Sequence, residues 1–441
     1  MIARDFSEPA AYIVMAEDGT TAAYTVTVTH ASEIAALKTI TSFIFKAANN
    51  PTLSSDVTGS ISASTISGTV PYGTDISALV PSIVHTGKSI VPVNESARSF
   101  YSPQNYTVTA GDDTTADYSV TVNISNPPGA VTVMKSGQTT SYADYDDGYY
   151  EIGLEWPSPR FTDNTDGTVS DNLTGLMWEW STNDTLRNWQ TALDYCNDST
   201  ASGYGDWRMP NINELETLIN YEEVSPAGWL NLLAFDDCKA QPYWSSTTDI
   251  DDSTSAYSVN MSDARIYRIV KTNSNYVLAV RGISSSIPAT GVTESQATGD
   301  DGDLEMGVAW PSPRFTDNGN NTITDNLTGL MWEQAPADDT ENWANALIEA
   351  TTVINYGSYN DWRVPNVREL RSLFSNYAET HQATWLQDEG FNTPFPTATF
   401  FTSTTLAAST EIAFFIWTSD QEVGTAGKTG GYRLIYVRGG N

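Results

Sequence analysis

Residues 155–180 read EWPSPRFTDNTDGTVSDNLTGLMWEW, and residues 309–334 read AWPSPRFTDNGNNTITDNLTGLMWEQ. The two stretches agree at 19 of 26 positions, at a constant offset of 154 residues. An offset of that size is about the length of one ordinary domain, so whatever fold one copy takes must be built twice. The match begins upstream, with DDGYYEIGLEW (146–156) against DDGDLEMGVAW (300–310). This sets the copies at 132–284 and 286–441, joined by SSSIPATG.

Within one copy the quoted stretch predicts a hairpin, with Phe161 and Val169 in strands on either side of an NTDG turn. The second copy replaces that turn by NGNN, which keeps turn chemistry but loses Asp166 and Gly167. A helix follows. Trp189, Ala192, Leu193 and Cys196 recur at i, i+3, i+4 and i+7, as do Trp343, Ala346, Leu347 and Ala350. A second helix is predicted in DWRMPNINELETLINY (206–221) and DWRVPNVRELRSLFSNY (361–377). There Asn211 and Asn366 stand as N-caps, and Glu214 and Glu369 complete a capping box three residues on. Its buried stripe is Ile212, Leu215, Leu218 and Ile219, matched by Val367, Leu370, Leu373 and Phe374. Short strands close each copy: PYWSSTT and TFFTSTT, SAYSVNM and AFFIWTS, YVLAVRG and LIYVRGG. Two helices followed by antiparallel strands make an α+β unit, with neither a Rossmann nor a P-loop glycine pattern.

A weaker repeat lies at the front. FSEPAAYIVMAEDGTTAAYTVTVT (6–29) matches YSPQNYTVTAGDDTTADYSVTVN (101–123), placing Tyr12 on Tyr106, Asp18 on Asp112, Tyr24 on Tyr118 and Val28 on Val122. Both read as hairpins with one buried face. The strings TITSFIFKAA, GSISASTISGTV, ALVPSIVHTG and SIVPV precede the second hairpin, so 33–126 reads as an all-β Ig-like sandwich of about seven strands. Residues 1–32 read as the final hairpin of a partial Ig-like module, or else as a strand donated to a neighbouring subunit. SNPPGA (125–130) is a linker.

The charge excludes whole classes of partner. With 54 acidic and 21 basic residues the formal net charge is -33, a field that repels nucleic-acid phosphates and anionic lipid and suits hard cations. No apolar run is long enough for a transmembrane helix, and MIARDFSEPAAYIVMAEDG lacks the basic start and apolar core of a secretory signal. Few lysines and many Thr, Ser, Asn and Gly nevertheless resemble exported bacterial surface proteins. The expected location is extracellular or on the cell surface.

The series DDGD/E, WPSPRFTDN, DNLTGLMW, DWRxPNxxEL and YVRG, spread over about 310 of the 441 residues, resembles the DUF1566 family, also called Lcl C-terminal-like domains. The resemblance implies two tandem C-type-lectin-like domains and an adhesive role on a bacterial surface; one family member is a collagen-like adhesin that binds sulfated glycans. The front module resembles Ig-like modules of bacterial envelope proteins. A sulfated-glycan site needs clustered basic residues, whereas this chain is acidic. It also carries neither the Glu-Pro-Asn nor the Gln-Pro-Asp tripeptide through which calcium-dependent lectins hold sugar.

Candidate sites follow from both readings. Asp146, Asp147 and Glu151, and Asp300, Asp301, Asp303 and Glu305, gather enough oxygen ligands for calcium, although Asp-Asp-Gly reads equally as a solvated turn. Asp163, Asn164, Asp171 and Asn172, with Asp317, Asn318, Asp325 and Asn326, read as partners of hairpin backbone, with a metal site as the alternative. Arg208 and Arg363 read as internal partners of a carboxylate near the helix start, with a ligand carboxylate as the alternative. Tryptophans shared by both copies, among them Trp156, Trp178, Trp189 and Trp207, read as core. The unshared aromatics Tyr257, Tyr267 and Trp417 fall in the variable strands where the resemblance implies ligand contact. Cys196 and Cys238 are both missing from the second copy, which is the pattern of a disulfide; two buried free thiols are the alternative. For catalysis there is little: His30, His85 and His381 lie in separate segments, and no HExxH or GxSxG motif occurs.

The resulting expectation is a non-enzymatic adhesin-like protein that recognises a glycan or protein ligand, with two linked sites raising avidity. A hypervariable receptor diversified by a retroelement, or a structural envelope or filament component, are the alternatives.

Overall fold

The computed structural model describes residues 9–27, 35–71, 74–100, 103–125, 129–182, 184–336, 340–352, 354, 356–359, 361–376, 382–392 and 399–440. The chain divides into two units, Met1–Ser125 and Asn126–Asn441, each described by itself. Both are mostly β, and the second also carries several short helices.

In the first unit, a five-stranded sheet runs in the order Ser60–Ser62, Thr65–Val70, Thr115–Ile124, Gln104–Thr109, Ser89–Val91. A three-stranded sheet of Val57–Thr58, Ile40–Phe45 and Pro81–His85 accompanies it. Alternation drives the packing: in Thr65–Val70 every second residue is buried, and Tyr106 and Val108 point inward with Phe43, Phe45 and Val120. The front hairpin, Ala10–Met15 with Thr21–Val26, also forms, pairing Tyr12 with Tyr24. Its expected buried face is absent. Tyr24 is 58% exposed where its counterpart Tyr118 is 7% exposed, and Ile13, Val14 and Met15 are exposed too. The last expected match, Val28, lies outside the described residues.

In the second unit, each repeat contributes one four-stranded sheet. The first consists of Phe161–Asp163, Thr168–Asp171, Met177–Glu179 and Val280–Arg281, and its twin of Phe315–Asp317, Thr322–Asp325, Met331–Glu333 and Val437–Arg438. A buried ion pair fixes each hairpin: Arg160 with Asp171 at 2.9 Å and Arg314 with Asp325 at 3.2 Å. Asn164 and Asn318 brace the turn by donating to Thr168 and Thr322, and Asn172 and Asn326 donate to the Pro159 and Pro313 carbonyls.

Both predicted helices form. Trp189–Asn197 and Trp343–Thr352 bury the expected stripe, and their leading indoles donate to the carbonyls of Ser245 and Thr402 at 2.9 Å. Asn211 and Asn366 cap Ile212–Glu216 and Val367–Leu373 with complete capping boxes. The same glutamates take bidentate ion pairs from Arg208 (2.6 and 2.6 Å) and Arg363 (2.6 and 2.5 Å). The helices are shorter than the stripe suggested: Leu218 and Ile219 are buried, but in turns beyond the helix end.

The repeats do not fold side by side as separate bodies. Pro242–Thr248, Ser255–Asn260 and Arg265–Val270 of the first join Val423–Gly427, Ile412–Trp417 and Thr399–Thr405 of the second in one six-stranded sheet. Ile266 pairs with Val423 at its centre. A hydrophobic core drawn from both repeats lies beneath it, containing Ile212, Leu215, Tyr221, Val367, Leu370 and Phe414.

The arm that leads each repeat crosses to the other. Asp147 accepts from the Thr404 hydroxyl at 2.6 Å, and Gln138 exchanges two hydrogen bonds with the Thr405 backbone. Reciprocally, Asp301 accepts from Thr247 at 2.7 Å, and Asn211 donates to the Met306 carbonyl at 2.9 Å. The Asp-Asp-Gly motif serves this crossing. Its first Asp, Asp146 or Asp300, accepts from three backbone N–H groups and caps a four-residue helix (Asp147–Tyr150 or Asp301–Leu304). Its second Asp reaches into the other repeat. Its glycine permits close approach, since a Cβ on Gly148 or Gly302 would sit 2.2 Å from the carbonyl oxygen of Thr140 or Glu294.

Candidate ligand-binding site

The aspartates expected to hold calcium are engaged in capping and anchoring. Asp146 and Asp300 face amides, Asp147 and Asp301 are buried against threonine hydroxyls, and Glu151 and Glu305 are left-handed C-caps at φ 48° and 46°. Asp303 accepts from the Gly299 N–H. Among the described residues no three of His, Cys, Asp and Glu gather as a metal group. Burial pushes the carboxyls of Asp147 and Asp301 up to about 7, with the threonine hydrogen bonds opposing it.

The expected disulfide is corrected as well: Cys196 and Cys238 are both free and buried. Cys196 packs with Trp189, Trp207 and Trp244, whereas Cys238 packs with Phe235 and Tyr243. Tyr243 and Trp244 are adjacent in one strand and face opposite sides of it, so the thiols belong to different cores. Burial pushes the Cys196 thiol well up and that of Cys238 to about 12.

The three aromatics proposed for ligand contact separate by position. Tyr257 is 1% exposed, and its hydroxyl donates to the Asp420 carbonyl across the seam, so it is a joint between repeats and not a contact surface. Tyr267 and Trp417 come together. Ile266 and Ile416 both pair with Val423, and all three are buried in the shared core. Tyr267 and Trp417 each follow one of those residues, so both project from the opposite face of the sheet, roughly 10 Å apart across two strand spacings. Trp417 is 39% exposed, with its ring on Phe415 at 5.0 Å between centroids. Tyr267 is half-buried beside Arg265, whose guanidinium lies 5.7 Å from the ring and is held by Asp263. Glu422, half-buried, accepts from the Arg268 N–H at 3.0 Å.

This face has no internal symmetry. The strand ends Asn260 and Trp417 correspond, and about the Ile266–Val423 pair Tyr267 corresponds to Gly424 and Arg265 to Glu422. At the seam the two repeats therefore present different side chains on this face.

On the core side, a cavity of about 80 Å³ lies between Ile212–Glu216 and Val367–Leu373, walled by both arms. Arg314, Arg368 and Arg371 line it with Glu216, Met134, Ile287, Leu327 and Phe374. Sequence reasoning missed these arginines, because Arg314 precedes the strand Phe315–Asp317 while Arg368 and Arg371 lie on the helix Val367–Leu373, and no local spacing shows that they share a cavity.

The sequence model of the Lcl C-terminal domain matches residues 167–281 and 321–438, more than half of the chain in two copies. The chain belongs to the Lcl C-terminal domain family. Residues 40–122 of this Lcl-family chain match the model described as SGBP, N-terminal. No curated protein matches it. A crystal structure titled "putative glycoside hydrolase" from Bacteroides thetaiotaomicron aligns over 52% of the chain and 79% of its own length, at 15% identity and a TM-score of 0.18. A score that low carries no argument about fold or activity. Among the described residues no helix is long and apolar enough to cross a membrane.

Proposed function

We propose that this protein is a non-enzymatic, surface-associated glycan-binding protein, with a β-sandwich unit and a lectin-like unit made of two fused Lcl repeats. The observation that carries the reading is the row of Tyr267 and Trp417 on the solvent face of the seam, flanked by Arg265 and Glu422. A flat aromatic face receives the C–H face of a sugar ring, and flanking charged groups hydrogen-bond its hydroxyls. The match of residues 40–122 to an SGBP N-terminal domain supports the same chemistry and an extracellular setting. Adhesion follows if the glycan belongs to a cell surface.

The test is a broad glycan array with the full chain, paired with an assay for released reducing sugar. Selective binding without product supports the proposal. Product release overturns its non-enzymatic part, and silence across the array overturns glycan recognition.

A further inference from the structure

The cavity at the repeat junction carries a charge that the protein does not answer. Arg314 has Asp325 at 3.2 Å, and Arg371 has Glu216 at 3.7 Å. Arg368 donates to the carbonyls of Glu216 and Ile219 at 3.3 and 2.7 Å but has no carboxylate partner among the described residues. It is 7% exposed, Arg371 5% and Arg314 4%. Nitrogens of all three lack a hydrogen-bond partner: Nη1 of Arg314, Nε of Arg368, and Nε and Nη2 of Arg371. Buried polar groups are ordinarily satisfied, and a buried cation without a counter-charge is costly.

The arrangement belongs to one repeat only. Arg368 and Arg371 occupy the places that Asn213 and Glu216 hold in the first repeat, and the helices meet so that the arginine pair of one faces the Asn and Glu of the other. The remaining wall is mixed: Met134, Ile287 and Phe374 are apolar, whereas Thr217, Ser286 and Ser372 carry hydroxyls. A cavity of about 80 Å³ admits on the order of five water-sized positions.

We propose that this cavity binds a small carboxylic acid with a short aliphatic tail. Its carboxylate is received by Arg368 and Arg371, guanidinium forks suited to planar oxyanions. Its tail lies against Met134, Ile287 and Phe374. The single negative charge matches the single unanswered cation, and a short tail suits a cavity of about 80 Å³. The site is separate from the Tyr267–Trp417 face and does not depend on glycan recognition.

The test is calorimetric titration of the full chain with sodium propionate, sodium chloride, propionamide and sodium glucuronate at matched ionic strength. The expected result is saturable binding of one propionate per chain, with the other three silent. Propionamide binding as tightly, glucuronate binding as tightly, or no saturable propionate heat overturns the proposal. Arg368→Asn, which installs the first repeat's residue, and Arg371→Gln are each expected to weaken propionate tenfold or more, with near-ultraviolet circular dichroism reporting that the core is intact. Unchanged affinity in either folded variant also overturns it.

Discussion

The carboxylate of Asp147 accepts a hydrogen bond at 2.6 Å from the hydroxyl of Thr404, 257 residues further along the chain. Asp301 does the same with Thr247. Each repeat is thus pinned to the other through a buried carboxyl, which makes the junction sensitive to proton concentration.

Folding raises both carboxyls to about 7 from an ordinary 3.8. A raised carboxyl pKa contributes stability that is complete below the unfolded value and lost as pH rises through the folded one. The second unit should therefore be more stable at pH 5 than at pH 8, by on the order of 1–4 kcal/mol per carboxyl. Asp147→Asn with Asp301→Asn should flatten that dependence and raise stability at pH 8. Glu333, also raised to about 7 by burial, retains part of the slope. Urea denaturation followed by tryptophan fluorescence at the two pH values reads the difference.

Arg208 and Glu214 make a bidentate pair with side chains only 6% and 2% exposed. Removing either partner leaves a buried charge, so Arg208→Ala or Glu214→Ala should cost about 3–5 kcal/mol. The neighbouring pair of Arg281 with Asp206, whose carboxylate is 58% exposed, is the control, and Asp206→Ala should cost about 1 kcal/mol or less. Chemical denaturation of the three variants gives the comparison.

The same pair illustrates what the sequence discloses. Asn211 and Glu214 stand three residues apart, so the capping box and the internal role of Arg208 were legible from local spacing. Shared Trp178, Trp189 and Trp207 were legible as core because both copies keep them. Asp147 was not, because its partner is Thr404 and nothing local distinguishes an anchoring Asp-Asp-Gly from a solvated turn or a calcium loop. The burial of Tyr257 and the divided cysteines escaped for the same reason. Each depends on which face of a strand meets which core, and that is decided by crossed arms and a seam between distant segments. The helix Pro226–Leu233 did leave a signal, Ser225 as N-cap with Pro226 at its first turn.

Because Cys196 and Cys238 are free, buried and held well above the usual thiol range, neither should react with iodoacetamide in the native protein. Intact-mass spectrometry should find an unmodified chain under native conditions and two added carbamidomethyl groups after denaturation without reductant. A chain that gains none in denaturant would indicate a disulfide.

The central claim is that two repeats make one glycan site at their seam. It is tested most directly by calorimetric titration with an oligosaccharide selected on the array, comparing the wild type with Trp417→Ala. Trp417 is 39% exposed, so its removal should leave the melting temperature nearly unchanged while weakening binding by about tenfold or more, and the wild type should bind one ligand per chain. Two ligands per chain, or an affinity indifferent to Trp417, would contradict the account.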